Sequence, residues 1–137
     1  MSADVPPQPV PDPDTIGYWE ALADGRLSLC RCQDCRTWMH PPLERCRRCG
    51  GATSFEPVSG TGVVHSFIVM RRASVPGLGD GPYVIGVVDV DDAPGVRLSG
   101  HIDAAPDEVT VGAPVVVRIV DVPGGPFHQP EFVLAAS

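Results

Sequence analysis

The sequence contains no lysine and few aromatic residues. All ten of its basic side chains are arginines, only 6% of its residues are Phe, Trp or Tyr, and the acidic residues leave a formal net charge of −7. A chain this acidic is repelled by nucleic acid and by anionic membranes unless its positive charge is concentrated in one place. The composition therefore argues against a nucleic-acid or membrane partner.

Long hydrophobic runs are also missing. No stretch approaches 18 apolar residues, so we expect no membrane-spanning helix. The first seven residues have neither a basic start nor an apolar core, so we expect no secretory signal and a cytoplasmic protein. In that compartment, paired cysteines more often bind metal than form disulfides.

Glycine and proline are abundant, with 15 and 16 residues, which favours short elements separated by turns. We divide the chain into a disordered proline-rich tail over residues 1–14, an N-terminal helix over 15–26, a zinc ribbon over 27–59 and an OB-fold domain over 60–137. The tail could alternatively order against a partner.

The predicted helix begins near Ile16, with Asp14 or Thr15 as its cap. Ile16, Trp19 and Ala23 fall on one face, with Tyr18 and Leu22 beside it. So short a helix is not stable alone in water, so this face must pack either on the same chain or on another subunit.

Beyond residue 60 the pattern changes to strands divided by turn residues, including a glycine-rich loop over 76–81. We predict five strands and, between the third and fourth, one helical turn over 106–109. The strands are 63–71, 83–90, 96–102, 114–122 and 131–135. This order is typical of a five-stranded OB-fold barrel, so the predicted class is mainly β: a short helix, a rubredoxin-like zinc ribbon and the barrel.

Four cysteines form two CxxC pairs separated by ten residues: Cys32 with Cys35, and Cys46 with Cys49. Two such pairs can complete a tetrahedral thiolate shell around one zinc ion, and four thiolates leave no open position, so the site is predicted to be structural. Iron, as in rubredoxin, is the competing metal. Cys30 is left over, and we expect it to be a half-buried spare thiol.

Arginine is concentrated around the cysteines. Residues 26–50 carry six arginines against Asp34 and Glu44 only. Arg71 and Arg72 form a second basic point at the end of the first barrel strand. Guanidinium groups suit bidentate contact with phosphate, so these arginines are candidates for phosphate binding, although a solvated charged face explains them equally well.

Motifs of catalysis are absent: the sequence has no GxSxG, HExxH, P-loop or GxGxxG. His65 and His101 fall in predicted strands, where we expect packing or surface roles rather than catalysis. The sequence therefore gives no sign of chemistry of its own.

Several motifs occur together in a recognisable order. A helix with Trp19 precedes Gly25-Arg26-Leu27 and the cysteine pairs, which enclose Pro41-Pro42. The segments that follow are Gly60-Thr-Gly-Val-Val-His-Ser-Phe67, Pro82-Tyr83-Val84 and Val111-Gly112-Ala113-Pro114-Val115. This combination resembles the acyl-CoA-associated zinc-ribbon/OB-fold family, once known only as a domain of unknown function. Arg36 departs from the family, which often has glycine there, and so does Met39-His40, where an aromatic residue is common.

The resemblance implies a non-catalytic subunit that pairs with thiolase-like enzymes: thiolases, acyltransferases, or lipid-transfer-protein-like retro-aldolases that shorten steroid side chains. Some members accompany MaoC-like hydratases. It also implies that zinc is the metal and that acyl-CoA is a ligand or shared substrate, with Arg47, Arg48, Arg71 and Arg72 as candidates for its phosphates. A nucleic-acid-binding ribbon/OB module and a rubredoxin-type electron carrier remain as alternatives.

Overall fold

The N-terminal part of the chain forms one helix and a small sheet. The computed structural model describes residues 6–71 and 82–135. Helix α1 (Ile16–Ala23) is followed by β1 (Ser28–Cys32), β2 (Trp38–Met39) and β3 (Thr53–Pro57). These strands form an antiparallel sheet in the order β2-β1-β3. The first CxxC pair begins at the last residue of β1, and the second pair lies in the loop between β2 and β3.

Five further strands close into a barrel in the order β4-β5-β6-β8-β7, with β6 and β8 parallel and the other pairs antiparallel. They are β4 (Thr61–Met70), β5 (Tyr83–Val90), β6 (Arg97–Ile102), β7 (Pro114–Asp121) and β8 (His128–Leu134), with a 3₁₀ turn (Pro106–Glu108) before β7. The predicted mainly β fold with a five-stranded OB-type barrel is confirmed. The last strand begins three residues earlier than predicted, and the predicted loop over 76–81 lies outside the described residues.

Strand alternation connects the ribbon to the rest of the molecule. On β1, Leu29 joins the main core with α1 and the barrel, whereas Cys30 and Cys32 face a small core of their own. On β2, Trp38 joins the main core and Met39 joins the small core. Successive strand side chains point to opposite faces, so these short strands serve both the main core and the cysteine cluster.

The buried face of α1 is shifted from the predicted one toward Tyr18 and Leu22, which were expected beside it. Tyr18, Ala21 and Leu22 are buried, whereas Ile16 is 44% exposed. The helix packs against β1 and β8 of the same chain, and that packing selects the buried face. Thr15 is the N-cap residue, but its side chain forms no capping hydrogen bond. Instead, Asp12 Oδ1 accepts hydrogen bonds from the backbone N–H groups of Asp14 and Thr15, just before the helix.

Part of the predicted tail follows a defined course. In residues 6–14, Gln8 Nε2 donates a hydrogen bond to the carbonyl of Pro123 on the barrel, at 2.8 Å. A Cβ at Gly125 would collide with the Gln8 amide, so the missing side chain there makes room for the contact. The domain boundaries themselves stay predictions. Among the described helices, none has the length and apolarity needed to cross a bilayer.

Candidate metal centre and basic surface

The structure brings the four predicted ligand cysteines together. The sulfurs of Cys32, Cys35, Cys46 and Cys49 all lie within 4.8 Å of one another. The Cys32–Cys49 sulfur distance is 3.5 Å and the Cys35–Cys46 distance is 3.6 Å. A tetrahedron with metal–sulfur bonds of about 2.3 Å has sulfur–sulfur edges of about 3.8 Å. The four sulfurs therefore fit one tetrahedral ion.

Backbone N–H groups point at the sulfurs in both pairs. In the first pair, Asp34 N and Cys35 N each lie 3.4 Å from Cys32 Sγ, and in the second, Arg48 N lies 3.3 Å from Cys46 Sγ. These contacts require the chain to turn tightly, and the residue after each pair accordingly has positive φ: Arg36 at +64° and Gly50 at +76°. The two turns are thus built alike. A backbone hydrogen bond from Gly51 acts to lower the pKa of Cys49, but the neighbouring sulfurs of Cys32 and Cys35 raise it to about 11.

Hydrogen bonding also favours the thiolate form at the first pair. Thr37, through its hydroxyl 3.1 Å from Cys35 Sγ and also through its backbone, lowers the pKa of Cys35 to about 6. Burial acts to raise the pKa of Cys32, but the N–H groups of Cys35 and Asp34 outweigh it and the pKa is lowered. Since a metal binds the thiolate and not the thiol, this environment suits a metal ligand. Sequence reasoning missed the part played by Thr37.

Cys30 lies apart from the four. It is 1% exposed, more deeply buried than the predicted half-buried thiol, and its Sγ donates to the carbonyl of Leu43 at 3.5 Å. The small core around it contains Cys32, Met39 and Cys46. Cys30 therefore packs beneath the cluster.

The six arginines of residues 26–50 divide into two groups. Three pair with carboxylates: Arg26 with Asp24 at 3.1 Å, and Arg31 and Arg36 with Glu56 at 3.4 and 2.9 Å. Arg31 also lies over the Trp38 ring, 4.5 Å from its centroid.

The other three, Arg45, Arg47 and Arg48, are exposed and form no ion pair within residues 6–71 and 82–135. They all flank Cys46 in the second pair. The turn of the second cysteine pair therefore carries three exposed arginines that have no carboxylate partner among the described residues. Arg71 is exposed at the end of β4, and Arg72 lies outside the described residues.

A second polar cluster lies on the barrel, where sequence reasoning expected only packing or surface roles. His101 Nδ1 lies 2.7 Å from Glu131, and Arg118 Nη2 lies 2.6 Å from Glu131 and 2.7 Å from Asp103. The strand pairing explains this, because β6 and β8 run parallel at Ile102 and Phe132, and Arg118 is opposite Glu131. His101, Asp103 and Glu131 could by their spacing hold a cation. The Arg118 guanidinium already pairs with Asp103 and Glu131, so it supplies the positive charge that a bound cation would bring.

A groove lies beside this cluster, between α1, the N-terminal residues and the barrel, with a volume of about 710 Å³. We call it the α1–barrel groove. Aromatic and proline side chains form much of its lining, and the polar groups include His101 and Glu131. Its principal lining residues are Tyr18, Trp19, Tyr83, Ile85, His101 and Glu131.

Two family models match the chain in turn. Residues 19–56 match the ChsH2 rubredoxin-like zinc ribbon domain, and residues 55–124 match the ChsH2 C-terminal OB-fold domain. The chain belongs to the ChsH2 zinc-ribbon/OB-fold family. The expected family resemblance is confirmed. The zinc-ribbon match covers all four clustered cysteines, so they form the characteristic cysteine set of a zinc ribbon domain.

Three curated relatives share part of their length with this member of the ChsH2 family. A probable enoyl-CoA hydratase alpha subunit of Thermomonospora curvata is 35% identical over 81% of this chain and 34% of its own length. A DUF35 domain-containing scaffold protein of Methanocaldococcus jannaschii is 34% identical over 62% of this chain and 61% of its own. The 3-oxo-4,17-pregnadiene-20-carboxyl-CoA hydratase alpha subunit of Mycobacterium tuberculosis is 30% identical over 90% of this chain and 39% of its own length. The chain thus spans little more than a third of the two hydratase subunits.

A solved structure matches along a whole chain. In an Ltp2-ChsH2(DUF35) aldolase, one chain superimposes on this ChsH2-family protein with a TM-score of 0.84 and 30% identity. The match covers 94% of this chain and 100% of the other. The likeness therefore includes helix, ribbon and barrel together.

Proposed function

We propose that this protein is a non-catalytic accessory subunit. It pairs with a thiolase-superfamily enzyme, either a thiolase, an acyltransferase or a lipid-transfer-protein-like retro-aldolase, that acts on acyl-CoA, with steroid or lipid side chains as the substrate class. The observation that carries this proposal is the full-length match to a chain of the Ltp2-ChsH2(DUF35) aldolase. The scaffold name of the archaeal relative and the CoA hydratase names of the other two agree with it.

The hydratase names favour a further association with a MaoC-like hydratase. The two relatives that bear them extend well beyond the part this chain matches. A hydratase activity is therefore assigned to such a partner and not to the ribbon and barrel.

The metal of the ribbon is proposed to be one zinc ion held by Cys32, Cys35, Cys46 and Cys49. Four thiolates fill a tetrahedral shell, so the ion would stabilise the ribbon and leave no position for a substrate. The paired N–H groups and the sulfur spacing support this assignment. Elemental analysis should find one zinc per chain in a colourless protein, whereas a red iron chromophore would contradict it.

The unpaired arginines are proposed to help hold CoA. Arg47 and Arg48 project from the second cysteine turn without a carboxylate partner among the described residues, and Arg71 is exposed directly after β4. CoA offers a 3′-phosphate and a diphosphate, both suited to guanidinium forks. Arg72 stays a sequence-based candidate for the same role.

The nucleic-acid alternative requires basic side chains beside stacking aromatic residues. Here the aromatic residues of the α1–barrel groove lie beside Glu131 and Asp121, whereas Arg45, Arg47 and Arg48 lie on the ribbon. This separation favours the acyl-CoA proposal.

The proposal is tested by co-purification from the native host followed by reconstitution. A thiolase-like or aldolase subunit should be recovered with this chain, and the pair should turn over acyl-CoA while neither chain does so alone. A partner that reaches full activity without this chain would show that the proposal is wrong.

A further inference from the structure

We propose that the α1–barrel groove binds an uncharged, mainly apolar group that carries a hydrogen-bond donor, with His101 as the acceptor. This inference rests on the proposed function only for the identity of the natural ligand, which would then be the acyl part of the thioester and not its CoA part. Its size, about 710 Å³, is in the range of small-molecule sites.

The lining of the groove selects against phosphate. Glu131 and Asp121 place carboxylates in it, and the nearby Arg118 is already engaged by both Asp103 and Glu131. No arginine is among the residues described as lining the groove. Among the described lining residues, a phosphate would therefore meet carboxylates and no arginine, whereas a hydrocarbon ring would meet Trp19, Ile85 and proline side chains.

The His101–Glu131 contact determines which hydrogen-bond partner the imidazole offers. Arg118 donates to Glu131 Oε2 through Nε at 3.2 Å and Nη2 at 2.6 Å, so this oxygen accepts from two nitrogens of the guanidinium. A carboxylate only accepts hydrogen bonds, so His101 Nδ1 must carry a hydrogen and donate to Glu131 Oε1. In the neutral imidazole the remaining nitrogen, Nε2, is then an acceptor. The complementary ligand group is a donor such as a hydroxyl.

His65 provides a matched control on another part of the barrel. It too pairs with a carboxylate, Asp89, which in turn binds an arginine, Arg97. The exposed fractions of the two imidazoles are nearly equal, 41% for His65 and 40% for His101. His65 does not line the groove. Replacing His101 by phenylalanine therefore changes the groove, and replacing His65 by phenylalanine makes the same chemical change outside it.

The test uses the full chain and two probes that lack CoA: 2-decalol, which donates a hydrogen bond, and 2-decalone, which only accepts. Binding is followed by amide chemical shifts in ¹⁵N spectra. We expect shifts at Ser99, Gly100 and Gln129 and an affinity about three- to tenfold higher for the alcohol. His101→Phe should abolish this preference, and His65→Phe should retain it.

A second variant tests the location of the site. Ser99 is exposed on β6 and lines the groove, so Ser99→Trp should fill the groove without disturbing the core and should weaken binding of both probes. Shifts confined to other surfaces, a preference that survives His101→Phe, or CoA alone shifting the same amides would overturn the inference. Because neither probe carries CoA and no partner is present, these outcomes are independent of the co-purification result.

Discussion

Arg36 and Gly50 share a left-handed backbone conformation, with φ of +64° and +76°, each directly after the second cysteine of its pair. Glycine adopts this conformation freely, whereas a residue with a Cβ does so at a cost of about 1–2 kcal/mol. Arg36 carries such a Cβ. Its guanidinium forms two contacts with Glu56, at 2.9 and 3.0 Å, which offset part of that cost.

Backbone strain at Arg36 is separable from its ion pair by two substitutions. Arg36→Ala removes the ion pair and keeps the strained Cβ, whereas Arg36→Gly removes both. We therefore expect Arg36→Gly to be more stable than Arg36→Ala by about 1 kcal/mol in the free energy of unfolding, measured with urea on the metal-loaded protein. Equal stability of the two variants would mean that the turn carries no strain.

Metal removal should unfold the ribbon and leave the barrel strands. Structural zinc contributes on the order of 10–16 kcal/mol in small ribbons, so a chelator or Cys46→Ser should abolish amide-exchange protection over residues 27–53. Cys30→Ala is the control, because Cys30 lies outside the sulfur cluster and this variant should keep one metal ion per chain. Full protection of the ribbon without metal would contradict the assignment.

Glu56 should make the ribbon sensitive to acid. Burial acts to raise its pKa, but hydrogen bonds from Arg36 and Gln33, with the charges of Arg36 and Arg31, lower it below its usual value. Stabilisation of this kind is present above the ordinary glutamate pKa and is lost as the pH falls through the lowered one.

We therefore expect Glu56→Gln to be less stable than wild type at pH 7, with the difference shrinking below about pH 4. Urea midpoints from pH 7 to 3 measure it. Glu20→Gln, a change on the exposed side of α1, is the control. A pH-independent difference between wild type and Glu56→Gln would rule out this linkage.

Loss of the unpaired arginines should weaken binding of CoA. In the complex with its partner enzyme, Arg47→Ala combined with Arg48→Ala should raise KM for acyl-CoA at least about fivefold, and the effect should decline at high salt because it is electrostatic. The matched control combines Arg26→Ala with Arg97→Ala, which removes two exposed arginines that are already paired with carboxylates. A similar KM for both double variants would mean that Arg47 and Arg48 form a solvated surface and do not bind CoA.

The sequence by itself determined the class of fold and the cysteine set. Proline, glycine and β-branched residues mark the strands locally, and CxxC spacing is a local requirement of a metal-binding turn. These signals lie within a few residues of the features they predict. That is why β5 begins and ends where predicted and why the four sulfurs converge.

Tertiary structure decided the features that depend on which residues meet across the chain. The contacts of α1 with β1 and β8 place its buried face at Tyr18 and Leu22, beside the face that its periodicity predicts. Arg31 and Arg36 form ion pairs within the ribbon because β3 brings Glu56 to them. The unpaired arginines of the ribbon are therefore those of the second cysteine turn. The parallel pairing of β6 with β8 places His101 beside Glu131, thirty residues away. Such contacts depend on strand register, which a linear sequence specifies only through the packing of the whole barrel.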